Sequence, residues 1–165
     1  MDLLDRLLAH DAWTTRELLR RCAGLTDEQL DADFDIGHRT LRRTLQHLVF
    51  NLDVWSGLIA GRIRSRDDVR RPPSTIEMLI ERLDRAASVL ATTARDVADR
   101  GGWDDAWLDV LDTPPVTKTY GSAIAHVITH GAHHRAQALW MLKQSGLRDL
   151  PAGDVFSWER RQAAG

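Results

Sequence analysis

The chain has 165 residues, 43% of them hydrophobic and 28% charged, with a formal net charge of −2, values ordinary for a globular protein that can bury its own core. Acids and bases are mixed along it, leaving no broad basic field and no nucleic-acid-binding motif. A single cysteine, Cys22, excludes an intramolecular disulfide, no apolar run nears the ~20 residues of a membrane span, and Asp2 stands where a signal peptide needs positive charge, so a cytoplasmic location is expected.

Four stretches carry helical periodicity. In the first, Leu4, Leu7, Leu8, Thr15, Leu18, Leu19 and Cys22 share one stripe, which makes Cys22 a core residue. Thr26-Asp-Glu-Gln29 reads as a capping box that opens one or two turns. A second long helix is predicted from Thr40 to Ala60, with Leu41, Leu45, Leu48, Leu52, Trp55 and Ile59 inward and Gly61 as its stop. The Arg-rich connection from Arg62 to Arg71 is interrupted by Asp67 and Asp68 and reads as a solvated loop. Ser74-Thr-Ile-Glu77 is another capping box, opening a third helix that buries Ile76, Leu79, Ile80, Leu83, Leu90 and Val97 and ends at Gly101 and Gly102. Segment 103–117, with Trp103, Trp107, Pro114 and Pro115, is expected to be an ordered loop or a short irregular excursion. The fourth helix runs from Thr119 to Ser145, stops at Gly146, and leaves 147–165 as a tail pinned to the bundle by Trp158. With no two-residue alternation and no internal repeat, the pattern predicts an all-α fold, one four-helix bundle over 1–165.

The chemistry lies in the histidines. Four of the seven, His126, His130, His133 and His134, fall within roughly a 100° arc of the fourth helix. His130 and His134, spaced i, i+4, can converge on one ion, but so can His126 and His130, and spacing alone does not choose between the pairs. A third ligand has to come from another helix. His47 beside the apolar stripe of the second helix is the first candidate; His10 and His38, the latter in a loop, rank below it. A lone core-edge histidine is more often structural, and a histidine-rich face can be a polar surface or a dimer contact. The two features together favour a metal site. Asp53 and Asp11 are candidates for a base or an outer partner of the site, and His133 for a proton shuttle. Gly131 after His130 rules out the H-E-x-x-H arrangement, and Ser122 has no triad context.

The string His126-Val-Ile-Thr-His130-Gly-Ala-His133-His134-Arg-Ala-Gln137 resembles the H-V-x-N-H-G-x-H-H-R-G-Q signature of the DinB-like (DinB/YfiT-like) family of metal-dependent bundles. Thr44-Leu-Gln-His47-Leu, with Trp55 eight residues on, is similar to that family's T-L-x-H segment, and His10-Asp-Ala-Trp13 to its Y-N-x-W opening. The likeness spans nearly the whole chain. It implies metal ligation by His47, His130 and His134, with His126 and His133 as neighbours. Thr129, Ala136, His10 and Asp11 depart from the pattern without removing a ligand.

Three neutral imidazoles leave an open coordination position, as catalytic sites do, and suit Zn²⁺ or Ni²⁺. The family includes enzymes that join low-molecular-weight thiols to small electrophiles, and a thiol-dependent isomerase. The resemblance therefore implies metal-dependent thiol S-transfer or hydrolysis on a small-molecule substrate, in detoxification or stress response, by a homodimer. A non-enzymatic metal- or ligand-binding bundle is the alternative. Ligation by ordinary imidazoles should weaken below pH ~6.5, where free histidine protonates.

Overall fold

The computed structural model describes residues 1–72, 75–151 and 153–164. Each long helix starts on a side chain that takes up an orphan amide. Asp2 accepts from Asp5 N and opens α1 (Leu3–Cys22), whose last turn carries Arg20 and Arg21 against the carbonyl end. The Thr26–Gln29 capping box is present in full and starts the short α2 (Asp27–Asp31). Thr40 caps α3 (Leu41–Ile59), which stops before Gly61 as predicted. Thr75 caps α4 (Ile76–Asp99); the expected cap, Ser74, lies outside the described residues. Thr119 caps α5 (Tyr120–Gln144), and Asp154 caps α6 (Val155–Ala163).

The order around the bundle is α1, α4, α3, α5, with neighbours packed in that sequence and α5 closing back on α1. The predicted stripes face its centre. Leu18, Leu19, Leu45, Leu79, Leu83, Met141 and Leu142 have essentially no exposure. Cys22 is wholly buried in the same core, and burial pushes its thiol up to about 12. Thr44 Oγ1 meets Met141 Sδ at 3.7 Å, which ties α3 to α5 one turn from His47. No helix among the described residues is long and apolar enough to cross a membrane.

Two segments differ from the sequence reading. Segment 103–117 is not irregular: β1 (Ala106–Asp109) and β2 (Val116–Thr119) pair antiparallel, from Ala106 opposite Thr119 to Asp109 opposite Val116. Four-residue strands are too short for alternation to stand out. Lys118 Nζ bridges buried Asp109 at 2.5 Å and Asp112 at 2.9 Å, while Trp107 packs edge-on against Trp55 of α3. The tail is also ordered over α6, where Trp158 is buried and meets the His10 ring edge-on.

The Arg-rich connection contains one 3₁₀ turn at Arg66–Asp68 and is held by a buried side chain of α4. Arg82 donates to the carbonyls of Arg70 and Arg71 and to Asp53 Oδ2.

Leu45→Ala opens a cavity at a fully enclosed site and should lower unfolding free energy by about 2–5 kcal/mol. Urea denaturation measures this; a loss below about 1 kcal/mol would mean that the α3 face is not close-packed there.

Candidate metal centre

The imidazole cluster is assembled by three pieces of chain. α5 contributes His130 and His134, one turn apart on the face toward α3. α3 contributes His47, and the loop between α2 and α3 contributes His38. His47 Nε2 lies 3.1 Å from His130 Nε2, and His134 Nε2 lies 3.1 Å from the same atom. The His38 ring stacks 4.0 Å from that of His47 and 5.3 Å from that of His134. Ligand atoms of His38, His47 and His134 all lie within 4.8 Å of one another.

These contacts cannot all be good hydrogen bonds. An imidazole nitrogen in the ring plane carries either one proton or one lone pair. His130 Nε2 has two nitrogen neighbours at 3.1 Å, and a single proton cannot point at both. Without a proton there, two lone pairs oppose each other instead. A cation between them would accept lone pairs from all three rings. At zinc–nitrogen distances of about 2.0–2.1 Å, tetrahedral ligands stand roughly 3.3 Å apart, close to the observed spacing. The donor set thus has the capacity to hold a divalent metal ion.

The ring of His134 is oriented by its neighbours. Its Nδ1–H donates to Gln137 Oε1 at 2.8 Å, which leaves Nε2 with its lone pair toward the cluster. The Gln137 amide is turned by its other end, where Nε2 donates to His133 Nε2 at 3.0 Å. Gly37 closes over the same amide at φ +52°, and a Cβ there would fall 2.5 Å from Gln137 Oε1. The close approach therefore requires a glycine.

On the far side of α5, Arg135 Nη1 pairs with Asp11 Oδ1 of α1 at 2.5 Å and with Thr15 Oγ1 at 3.0 Å. All three are buried. A Cβ on Gly131 would meet Asp11 Oδ1 at 2.8 Å and Arg135 Nη1 at 2.9 Å, so the bare backbone of Gly131 makes room for the pair. Asp11, Asn51 and His130 line one small cavity beside it.

The remaining sequence candidates fall elsewhere. Asp53 is six residues beyond His47, about 240° round α3, and its carboxylate binds Arg82. His133 is exposed and touches the cluster only through Gln137 and the edge of the His134 ring. His126 is exposed, stacks 4.8 Å from Trp55, and has its ring 5.2 Å from that of His130. His10 lies at the α1–tail contact, with Nε2 donating to Gly153 O at 2.9 Å. A loop has no periodicity from which to read a facing direction, so the sequence ranks His38 below His47; the structure sets its ring beside His47 and His134.

Electrostatics keeps the cluster uncharged. Burial, then the fields of His38 and His134, brings His47 down to about 4. Burial, then His134 and His47, brings His130 down to about 4 as well. His134 and His38 are also lowered, chiefly by burial, although the Gln137 hydrogen bond partly opposes this at His134. Burial raises Asp11 against the opposing pull of Arg135. Neutral rings persist well below the pH at which free histidine protonates, so the sequence-based threshold of ~6.5 moves down toward 4.

The model of the DinB family matches residues 1–161. A crystal structure of a candidate DinB-family member from Exiguobacterium sibiricum is similar at TM-score 0.64 and 25% identity, over 92% of this chain and 94% of that one. A DinB-like protein from Bacillus cereus is similar at TM-score 0.63 and 18% identity, over 87% of this chain and 91% of that one, and that likeness bears on the fold alone. No curated protein matches the sequence.

Depressed histidine pKa values make stability pH-dependent with a definite sign. Between pH ~6.5 and about 4 the unfolded chain binds protons that the native cluster refuses, so stability is full above pH ~6.5 and declines as pH falls toward 4. Urea unfolding of metal-free protein should show this decline, and His47→Gln should reduce its slope. A flat profile from pH 7 to 4.5 would contradict the neutral cluster.

Proposed function

The chain belongs to the DinB family, and on that premise we propose that it is a metal-dependent enzyme acting on a small molecule, by thiol S-transfer or hydrolysis. The observation that carries this reading is the convergence of three Nε2 atoms on one point, two of them 3.1 Å from the third. In this reading His47, His130 and His134 hold the ion, Zn²⁺ or Ni²⁺ by the chemistry of imidazole. When bound, it supplies a Lewis-acid position that lowers the pKa of a thiol or water and so provides the nucleophile.

The chain's own groups do the rest. Gln137 and Gly37 hold the His134 ring in the tautomer that offers its lone pair. His38, kept neutral by burial and lying beside His47, accepts the proton that the nucleophile loses. His126 and Trp55 form an aromatic wall on the opposite side of His130 that can shield an electrophile from water. Neither Asp53, paired with Arg82, nor exposed His133 has a comparable position.

The setting proposed is cytoplasmic detoxification or stress response, by a homodimer. The dimer is supported by Leu3 and Phe156, more than 70% exposed on the mutually packed α1 and α6.

The test is elemental analysis after Zn²⁺ or Ni²⁺ loading and desalting. Wild-type protein should retain about one ion per chain, as a three-histidine site predicts. His47→Ala, His130→Ala and His134→Ala should each lose it, a drop beyond the roughly 10–100-fold that follows removal of an outer partner. Retention in His130→Ala with loss in His38→Ala would transfer the site to His38, His47 and His134. A retained ion with no thiol- or water-dependent turnover across a panel of electrophiles would favour a non-enzymatic metal-binding bundle.

A further inference from the structure

A second polar feature lies on the opposite face of α5. Counting about 100° per residue from His130, Ala132, Ala136 and Leu139 fall roughly 180–240° round the helix. They form one wall of a cavity of about 270 Å³, and Leu18 and His10 of α1 face them across it. The walls are mostly apolar. Its volume falls just under the roughly 300 Å³ at which sites for drug-sized ligands begin, so it suits a compact molecule.

Arg135 gives this cavity its chemistry. Its side chain is buried and lines the cavity, yet among the described residues only Nη1 is bound, to Asp11 and Thr15. The other guanidinium N–H groups have no hydrogen-bond partner among the described residues. A guanidinium presents its donors as a planar fork that matches a carboxylate. Thr14 cannot compete for such a ligand as a donor, because its hydroxyl already donates to the backbone of its own helix. His10, which also lines the cavity, is fixed through Nε2 to Gly153 O.

We propose that this cavity is a second ligand site, independent of the imidazole cluster, for a small carboxylic acid with a compact apolar body, its carboxylate on the free edge of Arg135. The charge on Asp11 is satisfied through Nη1, so the ligand meets the guanidinium from the other side. Its apolar body then replaces water against Leu18, Ala132 and Leu139.

Benzoate is the probe, titrated into ¹⁵N-labelled full-length protein and followed by amide shifts. Shifts should centre on Ala132, Ala136 and Leu139, and should persist in His130→Ala, which separates this site from any carboxylate bound at a cation. Ala136→Leu, a good helix former placed in the cavity wall, should weaken benzoate by about tenfold or more while preserving the rest of the spectrum. Benzyl alcohol, with the same ring and no carboxylate, should bind about tenfold more weakly than benzoate. The proposal is overturned by absent shifts, by shifts lost in His130→Ala, by unchanged affinity in Ala136→Leu, or by equal binding of the alcohol.

Discussion

The buried pair between Asp11 and Arg135 sets the geometry on which the rest depends. Two charges taken out of water tolerate little displacement, and leaving one unpaired in such a place costs about 3–5 kcal/mol. The pair fastens α5 to α1 and fixes how α5 is rotated about its axis. Arg135 and His134 are consecutive and both buried, so they point about 100° apart. With Arg135 committed to α1, His134 and His130 are turned to α3, where His47 waits. Gly131 makes the arrangement possible, because any side chain there would occupy the space of the carboxylate.

The cluster itself opposes compact folding. Neutral rings at 3.1 Å spacing cannot all be satisfied by protons, and their depressed basicity shows that charging any of them is unfavourable. Proteins keep such locally unfavourable arrangements where function needs them. Here the cost is offset around the cluster rather than within it. Thr44 bonds to Met141, Leu45 is sealed in the core, and Gln137 locks the ring of His134.

Much of this was legible from the residues. The helices announced themselves through stripes of leucine, through the Thr26–Gln29 capping box and through the glycine stops at Gly61 and Gly146. Spacing narrowed the α5 pair to two choices, and only the resemblance favoured His130 with His134 over His126 with His130. A charged residue within an apolar stripe was a signal: Asp11 stands between Leu8 and Thr15 at helical spacing, and burial there demands a cation. What could not be read depended on loops. His38 reaches the cluster because its loop turns back on itself, with Phe34 N donating to Arg39 O and Arg39 gripping Asp33. No periodicity encodes that closure. The β1–β2 hairpin is hard to read for a related reason: its strands are four residues long, and Trp55 and Asp112, which hold Trp107 and Lys118, lie outside them.

The placement of Cys22 has a consequence for durability. It is the chain's only thiol, wholly enclosed at the end of α1, and burial holds it at about 12. At neutral pH it therefore stays in the inert thiol form. With its one cysteine enclosed, the folded chain offers no surface thiol for an alkylating agent to trap.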